Sequence, residues 1–142
     1  MKDKKDILFV QFETDSFYQI VLDLVLLYFG VKPAVKISNK EELKKYVSEV
    51  QEGKQVKPDF AVIDTFIGID NDDGQKIAEK LKEVCPNTKI IGYSIMETSN
   101  WADFEVLKSN KDQAKTLVKT LENALQEKFA YSDKDDPEYI HE

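Results

Sequence analysis

Four consecutive apolar residues, Phe60-Ala61-Val62-Ile63, stand between Pro58-Asp59 and Asp64, with helical periodicity on either side. A strand with one wet face alternates apolar and polar residues, so an unbroken apolar run belongs to a strand covered on both faces. Such coverage needs helices above and below a mostly parallel sheet, and the chain supplies them in alternation. Asp6 to Phe12 reads as a first strand built on Ile7, Leu8, Phe9 and Val10. A first helix starts at Asp15 or Ser16, carries Phe17, Ile20, Val21, Leu24, Val25, Leu27 and Tyr28 at helical spacing, and stops at Gly30. Residues 34–37 form a short second strand. Ser38 to Glu41 matches a capping box for a second helix from Asn39 to Glu52, ended by Gly53. After the strand that closes at Asp64, a third helix spans Asp73 to Val84 with Ile77, Leu81 and Val84 inward. Lys89 to Tyr93 and Phe104 to Leu107 are the fourth and fifth strands. Asn110 reads as the N-cap of a last helix with Ala114, Leu117, Val118, Leu121, Leu125 and Phe129 on one face.

This alternation predicts an α/β fold, a doubly wound five-stranded parallel sheet with strand order 2-1-3-4-5 and helices on both faces. Its switch point lies between strands 1 and 3, so Asp64 falls in the crevice where such sheets bind ligands. One connection breaks the pattern. Between Ser94 and the fifth strand only about nine residues remain, too few for a full helix and its turns, so a helix there is missing or vestigial.

The 142 residues suit one domain, expected over residues 1–130, followed by an acidic tail over residues 131–142. The net charge of −7 gives nucleic-acid binding no electrostatic support. No apolar stretch approaches the roughly 20 residues of a membrane-spanning helix. Met1-Lys2-Asp3-Lys4-Lys5-Asp6 runs directly into a strand rather than a secretory apolar segment, so a cytoplasmic protein is expected. Cys85, the single cysteine, allows no internal disulfide and reads as a structural residue.

Asp64, Ser94 and Lys108 each follow a strand, and a carboxylate, a hydroxyl and an ammonium at neighbouring strand ends make a small anion-handling site. Plainer readings stand beside this one. Asp64 and Lys108 also suit a structural ion pair, Ser94 a turn, and Glu13 and Asp15 the N-terminus of a helix. The run Asp70-Asn71-Asp72-Asp73-Gly74 is no EF-hand loop, because Ile69 and Lys80 fall at its first and last ligand positions. Trp101 reads as a packed loop anchor, and His141, in the tail, is a poor catalytic candidate. The absence of any Gly-rich phosphate loop argues against a nucleotide-binding or flavodoxin-type enzyme.

On Pro58-Asp59-Phe60-Ala61-Val62-Ile63-Asp64, Gly74, Ile90-Ile91-Gly92-Tyr93-Ser94 and Val106-Leu107-Lys108, the chain resembles the receiver domain of bacterial two-component response regulators. The resemblance covers roughly residues 5–128 and implies a flavodoxin-like fold. It also implies that Asp64 accepts a phosphoryl group from a histidine kinase or phosphotransfer protein, that Ser94 and Lys108 contact that group, and that acids after the first strand help hold Mg²⁺. Here the sequence departs from the family. A direct reading puts Gln11 and Phe12 at the acidic-pair positions. Counting back from Gly30 puts Glu13 and Thr14 there, and we prefer this register because Tyr18, Val21, Leu22, Val25, Leu26 and Phe29 then fall on family core positions. Glu13, Asp15, Asp64 and the backbone carbonyl near Phe66 remain as Mg²⁺ ligands, with weakened affinity expected. The loop from Thr65 to Gly74 looks about two residues longer than the family's and lacks its usual Pro, by that resemblance. Ser109 replaces the Pro after the lysine, Glu105 or Phe104 occupies the switch-aromatic region, and the missing helix belongs to the family's usual output surface.

Two functions are therefore expected. One is an atypical single-domain receiver, phosphorylated on Asp64, acting on a downstream protein by contact and catalysing at most its own phosphoryl transfer. The other is a pseudo-receiver, an interaction module without phosphoryl chemistry.

Overall fold

The computed structural model describes residues 7–31, 33–65, 73–98 and 100–129. In chain order the elements are β1 (Phe9–Phe12), α1 (Ser16–Tyr28), β2 (Pro33–Ile37), α2 (Lys40–Gln51), β3 (Phe60–Ile63), α3 (Asp73–Val84), β4 (Lys89–Ser94), β5 (Phe104–Leu107) and α4 (Gln113–Phe129). All strand pairs are parallel, and the order is β2-β1-β3-β4-β5, the doubly wound arrangement the alternation predicts. No helix among the described residues is long and apolar enough to cross a membrane. The expected acidic tail lies outside the described residues.

The uninterrupted apolar strands have a simple cause: side chains alternate faces along a strand, and both faces here are dry. Phe60 and Val62 join a core with Phe9, Leu22, Leu26, Tyr93, Leu117 and Leu121, on the side of α1 and α4. Ala61 and Ile63 face the other way, among Val10, Phe12, Tyr46, Ile77, Leu81 and Ile90 on the side of α2 and α3. The Phe9 and Phe60 rings stack across β1 and β3 with centroids 4.7 Å apart. Cys85 is buried, and burial pushes its thiol pKa up, which disfavours the thiolate that redox chemistry requires. Trp101 packs against the α2–α3 core, as a loop anchor should.

Three local expectations need correction. The first helix turns its Leu22, Val25 and Leu26 face inward and leaves Phe17, Ile20, Leu24, Leu27 and Tyr28 exposed. Apolar residues surround this helix almost completely, so spacing alone did not select a face; the register counted back from Gly30 did. Second, the cap of α2 is Asn39, not Ser38. Asn39 Oδ1 accepts the Glu42 N–H at 2.9 Å, an N-cap one residue later than expected, and Asn39 Nδ2 donates to Glu42 Oε1 at 2.7 Å. Third, Asn110 forms a turn that accepts the Asp112 N–H, and α4 starts only at Gln113. Ala114 is accordingly exposed, and Ala124 takes a core position instead. The helix stop at Gly30 does form: φ is 74°, and Val31 N–H reaches Leu26 O at 2.9 Å, a Schellman closure that favours glycine.

Among the described residues, the connection from β4 to β5 carries no helix. Thr98 organises it. The Thr98 N–H and Oγ1 both donate to Glu105 Oε2, and the Trp101 and Ala102 N–H groups donate to Thr98 O. Buried Thr98 thereby presses on Gly92, where a Cβ would overlap the threonine side chain. Gly92→Ala should therefore destabilise the fold by about 1–3 kcal/mol, the usual cost of overpacking. Urea denaturation checks this, and a midpoint equal to the parent's would contradict it.

Candidate functional site at the carboxyl ends of the strands

The charged residues of the site, Glu13, Asp64 and Lys108, each lie one ladder step past the end of a strand. Glu13 N–H donates to Ile37 O at 3.1 Å, Asp64 N–H to Phe12 O at 3.0 Å, and Lys108 N–H to Ser94 O at 2.9 Å. Backbone pairing thus aims the ends of β1, β3 and β5 at one point in the crevice. Gly74, in the first turn of α3, closes one side of it. Its N–H donates to Thr65 O at 2.9 Å, and a Cβ there would overlap the Asp64 carbonyl.

Lys108 fills that point. Its Nζ lies 2.6 Å from Glu13 Oε1 and 3.1 Å from Asp64 Oδ2, and all three side chains are buried. The same ammonium sits 4.2 Å from the centroid of the Tyr18 ring and 5.3 Å from that of Tyr93. The two rings meet edge-on at 5.6 Å. A desolvated ammonium is costly unless compensated, and here two carboxylates and two ring faces compensate it. Tyr93 in turn donates its hydroxyl to Gln113 Oε1, tying the box to α4.

The other expected site residues are placed differently. Ser94 is fully buried, and its hydroxyl bonds the Thr65 hydroxyl and accepts the Thr65 and Met96 N–H groups at 3.3 Å each. Asp15 is exposed and caps α1, accepting the Phe17 N–H at 2.9 Å, while its own N–H donates to Glu13 Oε2 at 3.1 Å. Phe66 lies outside the described residues. Phe12 belongs to the core, and Gln11 donates to Asp23 Oδ1 at 3.1 Å. Glu13 is therefore the carboxylate of this strand end that reaches Lys108. The sequence reading did not include Tyr18, Tyr93 and Thr65 in the site. The available signal was positional: Thr65 and Tyr93 adjoin Asp64 and Ser94, and Tyr18 lies in the first turn after Glu13.

Mg²⁺ uses one or two carboxylates with waters in an octahedral shell. Glu13 and Asp64 supply that minimum, but Lys108 already lies against both. Among the described residues no group of three or more His, Cys, Asp or Glu side chains could hold a metal. As arranged, these residues do not fit a resident divalent ion.

Burial pushes the Glu13 carboxyl from its ordinary 4.5 up to about 7, against the opposing pull of Lys108, with Asp64 adding to the rise. A carboxyl raised on folding holds its extra proton in the folded state. Its contribution to stability is therefore full below its unfolded pKa and is lost as pH rises through about 7. Unfolding midpoints of the parent should fall relative to those of Glu13→Gln between about pH 5 and about pH 8. Parallel pH profiles of the two proteins would contradict this.

No protein-family model and no curated protein sequence matches the chain. Solved structures do match it. A response regulator from Thermotoga maritima superposes with a TM-score of 0.64 at 15% identity, over 84% of this chain and 98% of that one. A response regulator receiver domain protein (CheY-like) from Methanospirillum hungatei gives 0.65 at 16% identity, over 89% and 97%. A response regulator protein from Burkholderia pseudomallei, solved with a phosphorylated aspartic acid, calcium ion and citrate, gives 0.60 at 19% identity, over 92% and 76%. On this likeness, the chain has the fold of response-regulator receiver domains.

Proposed function

We propose that this chain is an atypical receiver-type signalling module in which Asp64 accepts a phosphoryl group from a histidine kinase or phosphotransfer protein of the cytoplasm. Its phosphorylation state would be read by contact with a downstream protein. The observation that carries this reading is the Lys108 ammonium 3.1 Å from Asp64 Oδ2, at adjacent strand ends in the switch-point crevice. Phosphoryl transfer is mainly positioning and charge neutralisation. An Asp64 oxygen attacks phosphorus in line, the bond from phosphorus to the donor breaks, and an acyl phosphate forms. Lys108 exchanges its carboxylate partner for a phosphoryl oxygen, and a hydroxyl of the Thr65–Ser94 pair supplies a hydrogen bond. Glu13 and Asp64 would hold Mg²⁺ only weakly, since Lys108 lies against both, and the ion would supply charge neutralisation to the phosphoryl oxygens. Beyond its own phosphorylation the module needs no enzymatic activity.

A second reading has an observation of its own. Lys108 lies closer to Glu13, at 2.6 Å, than to Asp64, which suits an ion cluster locked in one arrangement and a pseudo-receiver that only binds partners.

Intact-mass measurement after incubation with a small phosphodonor and excess Mg²⁺ separates the two. The first reading predicts one labile phosphoryl adduct on the parent and none on Asp64→Asn. Lys108→Ala should be phosphorylated more slowly, by roughly 10- to 100-fold, as expected for losing a hydrogen bond to a charged group worth about 1.5–3 kcal/mol. Absence of an adduct on the parent overturns the first reading and leaves the second.

A further inference from the structure

The exposed side of α1 is the least expected surface of this molecule. Phe17, Ile20, Leu24, Leu27 and Tyr28 are each between 58% and 66% exposed. Across the thirteen residues of the helix the only charge is Asp23, and it is already paired with Lys36. A helix whose apolar residues extend well beyond one face normally has most of them buried. Here the inner face is covered by the sheet and α4, and the outer face is left bare.

We propose that this face is covered by α1 of a second copy, packed antiparallel about a two-fold axis. Three observations select this occupant. The first is spacing: Phe17, Ile20, Leu24 and Leu27 follow the 3-4-3 pattern of coiled-coil a and d positions over two turns and more. The second is self-complementarity. Phe17 and Leu27 stand equally far from Leu22, as do Ile20 and Leu24, so a two-fold axis level with Leu22 sets position 17 against 27 and position 20 against 24. An isologous interface requires a seam that is its own partner, and this one is. The third is area. Five large side chains about three-fifths exposed present roughly 600 Å², against about 800 Å² per partner in a standard interface, and helix flanks supply the remainder. A membrane surface is the poorer fit, because interfacial helices carry Lys or Arg on their polar side and α1 has neither.

Sedimentation velocity of the full chain over a dilution series tests this. The parent should sediment at twice the chain mass and dissociate on dilution. Leu24→Glu and Ile20→Lys should each sediment as monomers with parental circular dichroism, since both positions are exposed and neither change touches the core. An equimolar mixture of the two variants should recover the dimer, because position 20 of one copy meets position 24 of the other. A parent that is monomeric at every concentration would assign the seam to a different protein and overturn the proposal. Variants that stay dimeric, or a mixture that stays monomeric, overturn it as well.

Discussion

The buried ammonium of Lys108 is the constraint around which the carboxyl edge of the sheet is built. Removing a lysine from water costs several kcal/mol, which the protein must offset at close range. It does so with groups from four elements: Glu13 after β1, Asp64 after β3, Tyr93 in β4 and Tyr18 in α1, all meeting Lys108 after β5. None of these contacts is local in sequence. The ion cluster forms only when β1, β3, β4 and β5 are paired in register, and it in turn sets the distance between their ends. The elevated Glu13 pKa has the same origin, since a site dry enough to hold the ammonium tightly also penalises a second carboxylate.

The rest of the fold divides around this edge. The α2–α3 side of the sheet is an ordinary covered core. On the far edge, where receiver-fold proteins place an additional helix, the chain substitutes a short connection pinned by Thr98 to Glu105 and seated on Gly92. A change at Asp64 would reach that edge through Thr65 and Ser94, whose hydroxyls are bonded to each other, and through Met96, whose N–H the serine accepts. Ile95 and Met96 are exposed there, so the short connection, rather than a helix, is the surface next to the site.

Sequence and structure agree most closely where backbone pairing alone decides the result. Strand ends follow from the apolar runs, so the juxtaposition of Asp64 and Lys108 could be inferred from Phe60-Ala61-Val62-Ile63 and Phe104-Glu105-Val106-Leu107 without any side-chain geometry. The missing helix followed from chain length between Ser94 and Phe104. The tyrosine box did not, because ring positions depend on how α1 packs against β4, which no spacing rule specifies. Nor could the partner of Ser94 be foreseen, since a hydroxyl bonds whichever neighbour the adjacent strand end supplies, here Thr65 after β3. The inner face of α1 was ambiguous for a different reason. When nearly every residue is apolar, periodicity loses its contrast, and only the fixed stop at Gly30 set the register.

Lys108 and Glu13 act as one electrostatic unit beside Asp64, and a double-mutant cycle in urea at about pH 8 measures that directly. Lys108→Met keeps the side-chain length and removes the charge, leaving two buried carboxylates without a cation. It should cost about 3–5 kcal/mol in the parent background, and at least about 1 kcal/mol less in the Glu13→Gln background. Equal losses in both backgrounds, within about 0.5 kcal/mol, would mean that the two residues do not interact and would contradict the account.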